Sequence, residues 1–531
     1  MPAIITTAMR ILAAEQFLSS FVSNNAYVFI GATLPWFDPN NPAISDSMPP
    51  LPLDSVDTPA ACYRNMMSLK KVNVTTTSGQ TPAVTGDASL VIPRYDWTIN
   101  TPYSQYENNV DLFNQPIGTP PFYVITADMN VYICLYNNGG ANSTVMPTGT
   151  TALPFTGSDG YTWKFMYSIL PSDVLKFVTN QWIPVKTLAT GNSVWGPGAI
   201  DRIDVVTSGT QYTSIPTVQI VGDGVHASAT ATISNGNVTS INMVNNGIGY
   251  TWATVTLVRN NIGANGATAV ATIAPLNGHG ADPISELGGR FVLIDSQLRY
   301  DENTYFTVSN DYRQIGVVLN PTLWGTSTPA TNIDYTQALT LVFASINNGS
   351  FQADDTVYGA TSGATGVVMD YYPTGLTGLT AGLPTLRLVQ TTGTFLSGEQ
   401  IVDNITNANG VLLQNSSLIG NIVTASINTV QFPPTVTNVQ PGMTVAITSG
   451  LFAGQSRIIS SYNAGTYTAV VPNWTQVGLT VAPPAGSGFA VATIIPPAMQ
   501  PYSGQIIYVE NRRPISRALD QVEDVKICVE F

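Results

Sequence analysis

Charged side chains are scarce in this 531-residue chain: they make up 10% of it, against about 25% in an average globular protein. The surfaces of long helices normally use Glu and Lys, so this scarcity favours short strands and turns. The net charge of −13 is spread along the chain without a block of like charges. The sequence therefore offers no basic arm for phosphate backbones, and we expect no nucleic-acid partner.

Histidine and cysteine are also rare, which limits the chemistry that the chain could perform. The two histidines are His226 and His279, and the three cysteines are Cys62, Cys134 and Cys528. The cysteines are odd in number and widely spaced, which fits neither a disulfide framework nor a metal-binding CxxC pair. We predict buried free thiols in a protein that folds in a reducing cytoplasm.

Long apolar runs are missing as well. Arg10 is followed by the apolar residues 11–14, but Glu15 then ends the run, so this segment does not read as a signal peptide. No stretch approaches the roughly 18 apolar residues that span a bilayer. We expect a soluble protein with neither a secretion signal nor a membrane span.

Two short segments resemble chemical sites, and neither is convincing. His279 lies in a GHGAD segment where Asp282 could orient its ring, but no Gly-x-Ser-x-Gly nucleophile accompanies it. Residues 222–227 (GDGVHA) have the form of a GxGxxA fingerprint, but residues 228–233 alternate as a strand where that site needs a helix. We predict a packing or hydrogen-bonding loop histidine and a β-turn. The sequence predicts no catalytic, cofactor-binding or metal-binding residue, and no enzyme.

Helical patterns are few. Apolar residues at spacings of three and four predict a first helix with one buried face, formed by Ile11, Ala14, Leu18, Phe21 and Val22. A second short helix is predicted to have Thr58 as N-cap, Pro59 at its first position and an apolar stripe of Cys62, Met66 and Leu69. A third begins near Pro171. Period-two alternation elsewhere predicts strands, among them residues 122–125, 131–135, 161–169 and 506–509.

Two internal duplications are visible in the sequence. The first has a period of 38 and pairs Ile203, Val205, Val206, Gly209 and Tyr212 with Ile241, Met243, Val244, Gly247 and Tyr250. The second has a period of 44 and pairs Phe351, Asp355, Val357, Thr365, Gly366 and Val367 with Phe395, Glu399, Ile401, Asn409, Gly410 and Val411. Periods of this size indicate repeated supersecondary units.

The duplicated regions interrupt sequence that is richer in Trp, Arg and Pro. We therefore predict a mainly-β protein with a discontinuous β-sandwich core, a few short helices and two inserted duplicated β modules. The core comprises residues 1–190, 276–335 and 498–531. The inserts comprise residues 199–275 and residues 336–497.

Acidic residues recur in the second duplication, where Asp354 and Asp355 are matched by Glu399. Recurrence in a structural repeat favours solvated turns over a catalytic or calcium-binding pair, and no DxDxDG loop is present. The densest charged cluster lies near residues 510–523 and includes Arg512 and Arg513. It is either a surface that docks a partner or an internal ion-pair network, and we favour the second interpretation.

The segments outside the inserts resemble the baseplate wedge subunit family of contractile-tail phages, which includes the eighth gene product of the T-even phages. Motifs occur in family order: YVFIG (27–31), PW (35–36), DSV (54–56), MM (66–67), VIPRYDW (91–97), DGYTW (159–163), YRQI (312–315), NP (320–321) and SGQIIYVENR (503–512), before a strand ending at Phe531. The resemblance covers about 190 N-terminal residues, a middle stretch and the last 30 or so. The inserts have no counterpart in it.

The resemblance implies a structural protein of the virion tail, made in the host cytoplasm and active as a homodimer that bridges neighbouring wedge proteins. It would hold sheath contraction poised until the baseplate changes shape, and it brings no catalytic residue. An alternative is a peripheral tail component that binds a host receptor, a tail fibre or a glycan through the inserts, with Tyr212, Tyr250 and Trp252 as stacking surfaces.

Overall fold

The computed structural model of the chain describes residues 6–52, 57–82, 84–188, 193–299, 305–324, 327, 329–376, 382–413, 418–437, 439, 443–447, 449–452, 455–492 and 494–531. Strands take up 46% of the chain and helices 8%, so the mainly-β prediction is confirmed. The helices are α1 (Thr7–Ser23), α2 (Asp57–Asn65), α3 (Pro171–Phe177) and α4 (Pro283–Leu287), with a 3₁₀ turn at Asn138–Gly140. No helix among the described residues is long and apolar enough to cross a membrane.

The strands of the first 300 residues are β1 (Ala26–Gly31), β2 (Met66–Lys71), β3 (Val74–Thr76), β4 (Gln80–Thr81), β5 (Val84–Gly86), β6 (Ala88–Pro93), β7 (Tyr123–Ile125), β8 (Asn130–Asn137), β9 (Phe155–Thr156), β10 (Tyr161–Ser168), β11 (Trp182–Pro184), β12 (Thr187–Leu188), β13 (Ile200–Thr210), β14 (Thr217–Gly222), β15 (Val225–Ser234), β16 (Asn237–Ile248), β17 (Ala253–Val258), β18 (Asn265–Ile273) and β19 (Phe291–Arg299).

The later strands are β20 (Tyr312–Leu319), β21 (Asp334–Thr336), β22 (Leu339–Asn348), β23 (Thr356–Gly359), β24 (Thr365–Tyr372), β25 (Thr385–Thr392), β26 (Gln400–Asp403), β27 (Asn409–Leu412), β28 (Ile419–Asn421), β29 (Thr424–Ser426), β30 (Thr429–Gln431), β31 (Thr444–Ile447), β32 (Ser456–Ile458), β33 (Ser461–Asn463), β34 (Thr468–Val470), β35 (Gly488–Ala492), β36 (Ile494–Ile495), β37 (Gln505–Ile515) and β38 (Val522–Glu530).

The chain divides into two compact units, both discontinuous in sequence. Unit 1 comprises residues 1–23, 73–295 and 526–531, and unit 2 comprises residues 24–72 and 296–525. These boundaries differ from the predicted core and inserts, because each unit holds core segments together with inserted modules. We retain the division into core and inserts as a proposal about modules within the units.

Unit 1 contains the four-stranded sheet β7-β8-β10-β9 and the helices α1, α3 and α4. Of the sheet β11-β6-β19-β38, it contains β11, β6, residues 291–295 of β19 and residues 526–530 of β38. The apolar stripe of α1 is buried as its spacing predicted, at Ile11, Ala14, Leu18 and Phe21. Val22 is the exception, since it lies at the margin of the stripe and is 40% exposed. α3 begins at Pro171, where the sequence placed a third helix.

The remaining sheet of unit 1 is formed by the first duplication, in the order β14-β17-β18-β13-β16-β15. Its register repeats the period of 38: Ile203 lies opposite its own equivalent, Ile241. Gly209 and Gly247 occupy equivalent positions with φ of 63° and 66°. A Cβ atom at Gly209 would lie 2.6 Å from the backbone nitrogen of Ala267, so both the dihedral angle and the space require glycine.

Unit 2 contains the five-stranded sheet β21-β2-β1-β20-β37. The prediction of a helical stripe is wrong for Met66 and Leu69, which lie on β2 after the helix that carries Cys62. Leu69 pairs with Phe29 inside the sheet, and burial there outweighs weak local propensity. The side chains predicted to cap α2, at residues 58 and 59, lie outside the described ones.

The second duplication, in unit 2, forms a closed six-stranded β-barrel. Its strands pair in the ring β22-β25-β24-β23-β26-β27, and β27 pairs again with β22. The register is twofold repetitive: Leu341 pairs with Leu386, and Val342 with Thr385, positions that a shift of 44 exchanges. The first duplication has five of these six pairings between corresponding strands, and no pairing of β14 with β15 is found among the described residues.

Residues 418–492 form a further β module, with sheets β28-β35-β31-β32 and β29-β30-β34-β33. Its core includes Phe432, Met443, Trp474 and Phe489. The barrel has a separate core, which includes Phe343, Phe351 and Phe395. The second predicted insert therefore contains two modules, and the period of 44 belongs to the barrel alone.

Candidate functional site

Strand β37 is the edge of the five-stranded sheet, where it pairs with β20. Val509 lies opposite Gly316, and a Cβ atom at Gly316 would lie 2.6 Å from the backbone oxygen of Tyr508. Among the described strands β37 has no second neighbour. An unpaired edge must be covered or protected, and a loop of unit 2 does part of this work.

Residues 33–51 lie against the end of β37 and are held there by hydrogen bonds. The indole of Trp36 donates to the backbone oxygen of Arg512 at 2.8 Å, and the Asn511 amide donates to the backbone oxygen of Pro50 at 2.9 Å. Arg313 binds both oxygens of Asp46, at 2.9 and 3.0 Å. This bidentate pair holds the pKa of Asp46 below its usual range and fixes the loop.

Large apolar side chains project from this loop into solvent. Phe37, Met48 and Leu51 are 78%, 63% and 85% exposed. Phe37 directly follows Trp36, and Leu51 directly follows Pro50, the two loop residues that are hydrogen bonded to β37. Together with the exposed Arg512 and Arg513 they form what we call the arginine–apolar surface. Aromatic residues, Met and Arg are enriched at protein interfaces.

The charged cluster of residues 510–523 is divided by the structure. Arg517 is buried and forms an internal ion pair with Glu523 at 3.2 Å, and it donates to the backbone oxygen of Phe306 at 2.9 Å. Arg512 is exposed and lies 2.9 Å from Glu510, while Arg513 is exposed and has no ion pair among the described residues. The internal-network interpretation therefore fits Arg517, and the docking interpretation fits Arg512 and Arg513.

His279 is fully buried in unit 1 between two carboxylates. Its Nδ1 atom is hydrogen bonded to Glu286, and its Nε2 atom lies 3.5 Å from an Asp201 oxygen. The rings of Tyr106 and Trp195 meet it edge-on, with centroids 4.7 and 5.8 Å away. The ring itself is 0% exposed.

Burial alone would lower the pKa of His279, but the Glu286 and Asp201 carboxylates outweigh it and raise that pKa to about 9. The ring is therefore an imidazolium near neutral pH and has no lone pair with which to act as a base. His279 has the hydrogen-bonding role predicted for it, and its partner is Glu286 and not Asp282, which could have oriented the ring. Asp282 instead caps α4 by accepting a bond from the Ser285 backbone nitrogen at 3.3 Å.

The predicted solvated acidic turns are wrong for Glu399, which is buried. Its carboxylate accepts four hydrogen bonds: from the backbone nitrogens of Thr361, Ser362 and Leu396 at 3.1, 2.9 and 2.6 Å, and from the Ser362 hydroxyl at 2.9 Å. These bonds lower its pKa against the effect of burial. Asp355 is half-buried, and burial and the neighbouring Asp403 raise its pKa.

The residues proposed for stacking against a glycan are mostly in the core. Tyr212 and Tyr250 are 4% and 6% exposed, and only Trp252 is open to solvent. The GDG turn is a turn, as predicted: Asp223 accepts bonds from Thr251 and Trp252 across the sheet. The structure therefore gives the first insert no aromatic platform of the predicted kind.

The described residues contain no group of three or more His, Cys, Asp or Glu side chains that could hold a metal ion. Cys62 and Cys134 are buried and Cys528 is half-buried, all as free thiols. A cleft of about 430 Å³ in unit 1 is lined by Tyr95, Glu107, Phe113 and Arg290, among others. No histidine or cysteine lines it.

Residues 487–531 match the family model described as Bacteriophage T4, Gp8. This segment of the chain is similar to Gp8. It includes β37, β38 and the arginines of the arginine–apolar surface, and it agrees with the family resemblance seen in the sequence. Comparison with curated proteins gave no match. The Gp8 match supports a structural role in a phage baseplate, and thus a place in the virion tail.

Several contributors to these sites were missed in the sequence. Asp46 lies far along the chain from its partner Arg313, and Glu286 lies in a short helix that follows its partner His279. Nothing in the local sequence around Asp46 or Glu286 marks it as a partner. Phe37 and Leu51 could have been found, because isolated large apolar residues in a Pro-rich loop have no periodicity that would bury them.

Proposed function

We propose that the chain is a structural subunit of the baseplate wedge of a contractile phage tail. In this role it bridges neighbouring wedge proteins during tail assembly and during the change of shape that triggers sheath contraction. The observation that supports it most is the Gp8 match over the segment that carries Arg512 and Arg513. The enclosed state of His279 fits a protein whose work is mechanical.

The arginine–apolar surface is the part of unit 2 that we assign to a wedge neighbour. It combines exposed apolar side chains with outward arginines in a chain whose net charge is −13. A neighbour with an acidic rim around an apolar patch would complement it. The bidentate Arg313–Asp46 pair keeps the loop in place before binding, which reduces the entropy lost on docking.

Co-expression with the other wedge proteins of the same phage tests the proposal. The wild-type chain should enter a stoichiometric complex, and the double variant R512E/R513E should bind its neighbour at least about tenfold more weakly. The matched control is R64E/R299E, which reverses two exposed arginines of the same unit that lie outside residues 487–531. This control should assemble like the wild type.

Each outcome discriminates. A wild-type chain that ignores every wedge protein would contradict the proposed function itself. If the complex forms and both double variants assemble equally well, the wedge role stands and the arginine–apolar surface is not its interface.

The resemblance also implies a homodimer, which sedimentation of the purified chain would test. The alternative role in receptor or glycan binding has less support, because Tyr212 and Tyr250 are core residues.

A further inference from the structure

The two duplicated modules differ in how one pair of neighbouring strands meets. In the barrel, β23 pairs with β24, and this pairing helps to close the ring. The equivalent strands of the first duplication are β14 and β15, which do not pair with each other among the described residues. β15 pairs with β16 on one side and with no described strand on the other. It is therefore an edge of its sheet.

The free side of β15 offers a row of backbone groups. The strand is ten residues long, and within the described part of the chain its backbone–backbone hydrogen bonds go to β16. Natural edge strands commonly carry lysine or proline, which stops another chain from adding a strand. The sequence of β15, VHASATATIS, contains neither of them and no Asp, Glu or Arg. This edge is open to a further strand.

The middle of β15 alternates between the core of the module and solvent. Its register with β16 is regular from Ala229 to Thr232. Ala231 is 5% exposed and belongs to the core, and Ala229 packs against that core but is only partly buried. Thr230 and Thr232 are exposed on the other face. A strand added beside β15 would cover the alanines further, and cross-strand Thr–Thr pairs would stabilise it.

The surroundings of this edge are uncharged, unlike the chain as a whole. Residues 224–258 contain no Asp, Glu, Lys or Arg, whereas the chain has a net charge of −13. That net charge opposes the association of two copies, but at this edge they can meet without opposing like charges. Two identical strands that pair antiparallel also obey a twofold axis, the commonest symmetry of homo-oligomers. Charge and symmetry together favour a second copy as the occupant.

We propose that two copies of the chain pair through their β15 strands, antiparallel and about a twofold axis. The sheets of the two first inserts then form one continuous sheet, with alanines beside alanines and threonines beside threonines. This inference goes beyond the wedge role, because it places self-association in an insert that lies outside the residues matched to Gp8. It involves no residue of the arginine–apolar surface.

Analytical ultracentrifugation of the full chain at pH 7.5 and low salt, over a range of concentrations, measures the dissociation constant. The variant T230K/T232K puts two lysines on each edge, where those of the two copies face each other, and should weaken self-association at least about tenfold. The matched control is T254K/T256K, which changes two exposed threonines of β17, a strand with β14 and β18 as neighbours. This control should self-associate like the wild type.

Amide hydrogen exchange of the wild-type chain gives a second readout that needs no variant to fold. Above the measured dissociation constant, the amides of residues 225–234 should exchange more slowly than below it, because the second copy adds hydrogen bonds to the edge. The amides of residues 253–258 should exchange at the same rate in both conditions.

Three outcomes would overturn the proposal. The first is a wild-type chain that stays monomeric at every concentration. The second is self-association that the two double variants weaken equally or not at all. The third is self-association that leaves the exchange of residues 225–234 unchanged, which would place the interface elsewhere. None of them bears on the wedge role, which co-expression with the wedge proteins tests separately.

Discussion

The variant H279Q probes the most enclosed charge cluster of unit 1. Glutamine has a similar reach but no charge, so Glu286 and Asp201 lose the cation that lies between them. Arg202 lies 3.5 Å from an Asp201 oxygen and offers partial compensation. Removing one partner of a buried ionic group typically costs about 3–5 kcal/mol, because the remaining charge stays buried.

The same cluster predicts a pH dependence with a definite sign. The pKa of His279 rises from 6.5 to about 9 on folding, which corresponds to about 3 kcal/mol of unfolding free energy. Because the folded state binds this proton more tightly, the contribution is complete below pH 6.5 and disappears as the pH rises through about 9. Lys164 acts in the opposite sense, because burial lowers its pKa to about 8. Its effect on the unfolding free energy therefore becomes more stabilising as the pH rises above about 8. Comparing wild type with H279Q at each pH reduces the Lys164 effect but does not cancel it, because Glu286 also acts on the pKa of Lys164.

Histidine-selective ¹³C NMR measures the titration directly, since His226 and His279 are the two histidines of the chain. H279Q assigns the signals by deleting one of them. The His279 signal should stay in its protonated position until the pH exceeds about 8. Thermal unfolding should show H279Q well below wild type at pH 6, with a gap that narrows by pH 10. A His279 signal that titrates at or below pH 6.5, or equal stability at pH 6, would refute the reasoning.

Two further substitutions test how the modules are held. Arg387 and Asp370 form a buried pair with bonds of 2.7 and 2.6 Å. R387M leaves Asp370 without its cation and should lower the unfolding free energy by about 3–5 kcal/mol. The double variant R387M/D370N should recover part of this loss, and calorimetry that shows no recovery would contradict the reasoning. G209A should cost more than about 2 kcal/mol, because φ is positive and the Cβ atom meets Ala267. G363A, with similar φ but open space around it, should cost less, and equal losses in Tm would show that crowding is not the cause.

Some of the fold followed from local pattern. The stripe of α1 has helical spacing, so its burial follows from periodicity. Strands do lie near residues 123–125, 130–137 and 161–168, as predicted, but they are buried almost continuously instead of on alternate residues, because both of their faces are covered. The helical prediction for Met66 and Leu69 was wrong because a short apolar stripe fits the helical and the strand period equally well. Only pairing with Phe29 and its neighbours selects the strand.

The acidic residues of the second duplication show the same difference between what the sequence predicts and what the fold decides. Recurrence of Asp355 and Glu399 correctly marked equivalent positions, but equal positions did not mean equal environments. Whether a carboxylate is solvated, capped by a turn or pressed against a second carboxylate depends on the residue across the barrel, here Gly359 or Asp403. Gly359 lies 40 residues from Glu399 and Asp403 lies 48 residues from Asp355, beyond any local pattern.

The scarcity of charge and histidine, the two periods and the ordered motifs by themselves determined a mainly-β chain with duplicated inserts and a resemblance to a baseplate family. These are properties of composition and spacing, which the chain carries whether or not it is folded. Only the tertiary structure decided that Arg517 is internal while Arg512 and Arg513 face solvent beside Phe37 and Leu51. The physical reason is that exposure and charge pairing depend on which distant segments the fold brings together.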